Sequence, residues 1–552
     1  MPVTLQATIA ARIDRLDPTA KRTLSAAAVI GSKFSLNLLK KLGIDPAVEH
    51  LVASQFIDQT KFTGQPEYVF HHPLIRTVAY ESQLKSDRAE PHRRVAVAIE
   101  SCDPAAAEEK AALIAEHLEA AGDLHAAYGW HMRAATWTTN RDIAAARLRW
   151  ERAVEIADAI PGDDPNRAAM RIAPRTMLCG TAWRVHADVA GDRFDELRDL
   201  CGAAGDKASL AIAMAGLVED RVQQDRVREA SQLASEAIAL IESIGDPDLT
   251  VGLCLPLLHA KGEGYEWSEL LRWSERVIEL ADGDPAKANF IFGSPLATAL
   301  LARGAARYWL GHPGWRDDLH RALAMGRAAD PLTYAAVVTY VYLPAIPYGV
   351  HAADDRAVQE IEAALRIAER SGDDLAVALA QMTLGVALVH RDTDAERDRG
   401  QQLLAGVSDL FPRKGFLLCD VPLVNVYLAR ESARRGDRDE AIPPLRAAVD
   451  HQFRGGQLLQ WCVPATGVLV RTLLDRRDEG DVAEAQAAIE RLAAAPANEG
   501  LAISEIWLLW LQALLARAHG DDAAYARLRD RYRDMAKTLD FEGHIAWAEA
   551  MP

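Results

Sequence analysis

Cysteine is scarce and scattered in this chain of 552 residues: Cys102, Cys179, Cys201, Cys254, Cys419 and Cys462 lie far apart, with no C-x-x-C pair. That argues against a zinc site and against a disulfide framework, and it makes buried, reduced thiols the expectation for all six. Long apolar runs are missing too. No uninterrupted stretch approaches the roughly 20 residues of a membrane helix and the mean hydropathy is −0.09, so a soluble chain without a membrane partner is expected. The N-terminus has no charged segment leading into an apolar one, which makes the cytoplasm the expected compartment.

Positive charge is also in short supply. Lys and Arg number 62 against 79 Asp and Glu, for a formal net charge of −17. The imbalance is uneven, with residues 1–100 at +3 and the rest at −20. An acidic body repels nucleic acid, so none is expected as a partner. Catalytic signatures are absent as well. A phosphate-binding loop needs G-x-x-x-x-G-K-[ST] to wrap backbone amides around phosphates, and no such run occurs. The 16 histidines show no H-E-x-x-H or H-x-H spacing and the serines no G-x-S-x-G elbow. The expectation is a non-enzyme without cofactor or metal.

What the chain does contain is helix, in two regions. Residues 1–100 read as a winged-helix domain. Leu5, Ile9, Ile13 and Leu16 form one apolar stripe from the outset, and such a stripe must cover a surface. Asp17-Pro18 and Asp45-Pro46 each supply a cap followed by proline at the first helical position, and Ser35 caps a short helix between them. Ile57 to Phe62 and Glu67 to Phe70 flank Gly64-Gln65-Pro66 as two strands around a turn. His72-Pro73 then opens a helix with Ile75, Val78 and Ala79 facing inward.

From residue 101 to 552 the strand signals vanish and a helical repeat takes over, punctuated by Gly-Asp at two kinds of position. Gly122-Asp123 and Gly436-Asp437 read as turns within helical hairpins, each followed by alanine at plus five and plus twelve: Ala127 and Ala134, Ala441 and Ala448. Gly245-Asp246-Pro247, Gly283-Asp284-Pro285, Ala329-Asp330-Pro331 and Gly372-Asp373-Asp374 read as joints between hairpins, where glycine ends one helix and aspartate caps the next. The predicted fold class is all-α: a tetratricopeptide-like superhelix with a concave inner face, preceded by the small winged-helix domain. Stretches 161–174 and 342–351 are the expected joints or insertions.

The residues Pro2 to Leu16, Ala27 to Gly31 and Tyr68 to Tyr80 resemble the segment that follows the ATPase core in bacterial signal-transduction ATPases of the STAND type. The nearest resemblance is to multidomain class III adenylate cyclases, in which a cyclase domain precedes an ATPase, a winged helix and a long tetratricopeptide-like tail. Asp540 to Met551 is similar to a typical ending for that group. The resemblance implies the regulatory half of such a protein, without its nucleotide-binding parts, and reads the beginning of this chain as a cut. It also implies a role for His72, since in related ATPases a histidine opening the helix after the wing reaches toward the phosphate of bound ADP. Pro73 stands where many relatives carry aspartate. Here His72 could touch nucleotide only on an ATPase supplied in trans; otherwise it is a helix-capping histidine.

Other candidates are read from the residues alone. The helix between Pro46 and Phe56 holds no Lys or Arg and carries Glu49, so it lacks the usual donors for DNA. Lys40, Lys41, Arg93 and Arg94 face either solvent or an acidic partner. Tyr334, Tyr340, Tyr342 and Tyr348 cluster around Pro344 and Pro347, where they either line a peptide-binding groove or pack the hairpin. Trp267, Trp273, Trp507 and Trp510 read as core. Asp354-Asp355, Asp373-Asp374 and Asp521-Asp522 lie in turns, where capping accounts for them. The expected function is a non-catalytic regulator or scaffold in signal transduction that binds protein partners through its solenoid. The alternative is a subunit of a split adenylate cyclase or ATPase completed in trans.

Overall fold

The computed structural model describes residues 3–61, 66–102, 107–139, 141–185, 190–288, 294–453, 458–495 and 500–552. The chain forms two compact units, Met1–Leu178 with Arg193–Ala204, and Cys179–Asp192 with Gly205–Pro552. The expected boundary after residue 100 falls inside the helix Lys85–Cys102. The first unit runs further because one continuous core joins Ile13, Leu24 and Ile75 to Ile114, Trp130 and Ile156.

The first unit opens with α1 (Val3–Asp14), α2 (Pro18–Ile30), β1 (Lys33–Ser35), α3 (Leu36–Lys41), α4 (Val48–Ala53), β2 (Ile57–Lys61), β3 (Glu67–Phe70) and α5 (Pro73–Glu81). The strands form a three-stranded antiparallel sheet in the order β1-β3-β2. Asp17 accepts the Thr19 and Ala20 amides and Ser35 accepts that of Leu38, so both predicted caps start their helices. Asp45-Pro46 does not start one: α4 begins at Val48 and has no side-chain cap. The Ala47 amide donates instead to Thr23 Oγ1 at 3.1 Å, which ties this segment to α2. β1 escapes sequence reading because its three residues look like a lead-in to the Ser35 cap. The turn Gly64-Gln65-Pro66 lies mostly outside the described residues. On α1, Ile9 and Ile13 are buried while Leu5 is 46% exposed.

The second unit is a stack of antiparallel helix pairs. The first helices of successive pairs, such as Lys207–Gln223, Cys254–Glu263, Pro295–Leu310, Pro331–Ala345 and Asp374–Val389, bury most of their residues. Their partners, such as Val227–Ile244, Trp267–Ala281 and Asp355–Ser371, bury a single stripe. The joints behave largely as predicted. Gly245 and Gly372 end their helices in the left-handed conformation, and Asp246, Asp330 and Asp373 cap the following ones. At the second joint the Asp284 side chain accepts the nearby Ala286 amide, and the next described helix starts at Pro295, capped by Ser294. Ala127, Ala134, Ala441 and Ala448 are all buried, as the Gly-Asp offsets require.

The superhelix of the second unit closes on itself, and its middle is filled by side chains rather than left as an open concave groove. Cys462 Sγ meets the Tyr265 hydroxyl at 3.6 Å, Trp507 Nε1 donates to the Tyr348 carbonyl at 3.0 Å, and His451 lies 2.9 Å from Asp225. The final helix Glu542–Glu549 docks on the proline-interrupted stretch. The Glu542 and His544 amides donate to the carbonyls of Val350 and Gly349 at 3.0 Å each. Arg316 bridges Asp540 and Glu542. Stretch 342–351 is thus the seat of the C-terminus. Around the other expected joint, the helix Arg167–Gly180 runs through Pro174 without a break.

Candidate functional site

Two places carry unusual chemistry. The first is a buried polar centre in the second unit. Glu219 sits near the end of the helix Lys207–Gln223, just after the apolar run Leu210–Val218, and one turn further Gln223 donates to its Oε1 at 3.0 Å. His259 and Glu263 lie one turn apart on Cys254–Glu263, which sets both on one face. The His259 ring donates from Nδ1 to Glu219 Oε2 at 3.0 Å and from Nε2 to the Tyr340 hydroxyl at 3.2 Å, with Glu263 Oε1 3.7 Å away. The Gln460 side-chain amide lies against Glu263, and with its nitrogen turned toward the carboxylate it donates to Oε2 at 3.2 Å. Asp420 is buried at the head of Val421–Arg434.

Burial and charge pull these groups in different directions. Burial alone would lower the His259 pKa, but Glu219 and Glu263 outweigh it and hold the ring well above its ordinary value, as an imidazolium. Burial raises Glu263. Burial, with the Glu263 charge nearby, pushes Asp420 up to about 8. A raised carboxyl pKa means that the folded state holds the proton more tightly, so Asp420's contribution to stability is greatest at low pH and falls as pH rises from 3.8 through about 8. Asp420→Asn is expected to remove that slope and to stabilise the protein at pH 8, read from urea midpoints between pH 4 and pH 9.

Beside this centre lies a narrow recess. Leu255, Leu258, Leu270, Leu301, Val337 and Trp267 form its walls, with His259, Tyr340 and Gln460 among its polar members. Two nearby turns have unusual backbone. Asp225 and Tyr265 adopt φ of 61° and 65° at the tips of hairpins where other pairs use glycine. A non-glycine residue in that conformation is costly and often marks a functional position.

The second place is a groove on the first unit between α2, the loop after α3 and the helix Lys85–Cys102. Ala26, Val29, Leu42 and Ile44 line it, with Lys21, Arg22 and Arg94 among its polar members. Leu84, 68% exposed, lies in the same groove, and Val97, 58% exposed, is further along that helix beside Lys41 and Arg93.

The four tyrosines do not converge on a groove. Tyr334, Tyr342 and Tyr348 are buried: Tyr334 donates to Glu360 Oε1 at 3.2 Å, Tyr342 packs near His351, and Tyr348 lies against Trp309 and stacks on Trp461. Only Tyr340 reaches the recess. His72 is exposed and caps α5, its Nδ1 accepting the Leu74 amide at 3.1 Å, and the neighbouring His71 pairs with Asp58. Trp267, Trp273, Trp507 and Trp510 are core, and Asp354, Asp373 and Asp521 are helix caps. Cys179, Cys201, Cys254, Cys419 and Cys462 are buried thiols, and burial lifts Cys254 and Cys462 to about 12, far from nucleophilic. Among the described residues no group of His, Cys, Asp and Glu is disposed to hold a metal, and no helix is long and apolar enough to cross a membrane.

Sequence reading missed Glu219, His259, Glu263 and Asp420. The available signal was polar residues inside apolar helices, which is costly unless they are paired.

No known family model matches the chain. A protein of Rhizobium meliloti (strain 1021), described only as uncharacterized, is 28% identical over 163 residues, which is 28% of this chain and 16% of that protein. The chain therefore spans about one sixth of that relative. Among solved structures, a STAND protein with a tetratricopeptide repeat sensor from Pyrococcus horikoshii aligns with 90% of this chain and 66% of its own, at 11% identity and TM-score 0.41. The Rap protein complexed with Competence and Sporulation Factor aligns with 76% of this chain and 99% of its own, at 11% identity and TM-score 0.36. Yeast Tom70 aligns with 84% and 94%, at 12% identity and TM-score 0.29.

Proposed function

We propose that this protein is a non-catalytic regulator in signal transduction that docks through its first unit on an acidic protein surface, an ATPase or cyclase core supplied in trans. The observation that carries this reading is the groove beside α2, with its apolar lining, exposed Leu84 and basic Lys21, Arg22 and Arg94. An exposed apolar residue among basic neighbours gains from burial against a complementary surface, while the charges select the partner. The second unit then serves as the sensing or scaffolding body.

Native co-purification of the intact chain, with identification of a nucleotide-binding partner, tests this. The double variant Leu84→Asp/Arg22→Glu is expected to lower retention of that partner roughly tenfold or more, with an unchanged melting temperature. Retention unaffected by the double variant would overturn the reading. So would a purified chain that is partner-free and turns over a substrate by itself.

A further inference from the structure

The recess in the second unit is built like a ligand site rather than a packing defect. Protein interiors are close-packed, so a void normally keeps an apolar lining with every polar atom paired elsewhere. Here two buried donors in the wall have no hydrogen-bond acceptor among the described residues. They are the Trp267 indole N–H, in a side chain 4% exposed, and the Tyr308 hydroxyl, in one 1% exposed. A buried donor without an acceptor costs free energy until something supplies one.

The remaining lining sets the chemistry. Leucine, alanine and valine side chains from Cys254–Glu263, Trp267–Ala281, Pro295–Leu310 and Pro331–Ala345 give an apolar body, and Thr298 and Thr333 add small hydroxyls. Of the described lining residues only His259 is charged; its imidazolium pairs with Glu219, while burial raises Glu263 toward its neutral form. No unpaired charge among these described residues is left for a charged ligand to meet. Gln460, from the stretch that returns across the superhelix, closes the wall. A bound molecule would therefore touch both early and late hairpins at once.

We infer that this recess binds a small neutral molecule with an apolar, aromatic or branched aliphatic body and one hydrogen-bond acceptor, which Trp267 and Tyr308 would serve. The site stands independently of docking by the first unit, since binding is measured on the purified chain without any partner.

The test is calorimetric titration of the full chain with four probes of similar size: acetophenone, ethylbenzene, benzoate and benzylammonium. Acetophenone is expected to bind at least about fivefold more tightly than ethylbenzene, because only its carbonyl meets the unpaired donors. The two ions are expected to bind at least about tenfold more weakly than acetophenone. Ala305→Phe, which places a ring in the recess, should abolish acetophenone binding. If that variant does not fold, Trp267→Phe keeps an aromatic wall and removes the N–H, and it should bring acetophenone down toward ethylbenzene while leaving ethylbenzene unchanged. Equal affinity for acetophenone and ethylbenzene would overturn the acceptor assignment. An acetophenone affinity that ignores the tested variant, or no binding of any probe at millimolar concentration, would overturn the site.

Discussion

Gly349→Ala is expected to destabilise the second unit by about 2–4 kcal/mol, the sum of two separate costs. Gly349 has φ of +72°, where an alanine is strained by about 1–2 kcal/mol. An added Cβ would also lie 2.8 Å from Trp547 and 2.9 Å from His544, on the helix that closes the superhelix. The control is Gly372→Ala, which has nearly the same φ of +71° and open space around it. It should cost only the strain. Thermal melting of both variants, with limited proteolysis at the C-terminus, separates the two contributions. Early release of the Glu542–Glu549 helix is expected in Gly349→Ala alone, and equal losses in the two variants would show that the closing contact contributes nothing.

Glu219→Ala is expected to cost about 3–5 kcal/mol, because it strands a buried imidazolium rather than removing a single bond. The sign with pH follows from the His259 shift. A histidine with a raised folded pKa contributes stability that is fully present below the unfolded value of 6.5 and is lost as pH rises through the folded pKa. The deficit of Glu219→Ala should therefore be largest at pH 5–6 and shrink as the ring is neutralised. Glu219→Leu with His259→Leu should be much milder than Glu219→Ala, since an apolar pair leaves no buried charge. Urea midpoints at pH 5.5 and pH 8.5 decide it, and a deficit independent of pH would contradict the protonated state of His259.

Local signals were legible where one residue does one job. Asp17-Pro18, Ser35, Asp246-Pro247, Asp330-Pro331 and Asp373 start the helices that their caps announce. The small residues after Gly122 and Gly436 are buried at the predicted offsets. Asp45-Pro46 and Asp284-Pro285 carry the same signal and fail. In the first case Thr23 ties down the next amide, and in the second Asp284 caps only a turn. A cap is a local preference worth about 1 kcal/mol, and tertiary contacts can override it.

The polar centre was not legible, for a different reason. Its members Glu219, His259, Tyr340, Asp420 and Gln460 come from widely separated hairpins, and their pairing depends on how the stack curves. The tyrosine cluster met the same limit, and packing, one of its two readings, holds for Tyr334, Tyr342 and Tyr348. Sequence proximity around Pro344 and Pro347 suggested a shared groove, yet rotation along the helix sends Tyr340 to the recess and Tyr334 to Glu360.

The sequence by itself determined the helical repeat, its turn chemistry and the β-containing module at the start, because periodicity and capping act over a few residues. Only the tertiary structure decided that the superhelix closes, that residues 349–352 seat the final helix, and that a charged histidine sits at its centre. Small rotations between successive hairpins accumulate over the whole array, and no local pattern encodes their sum.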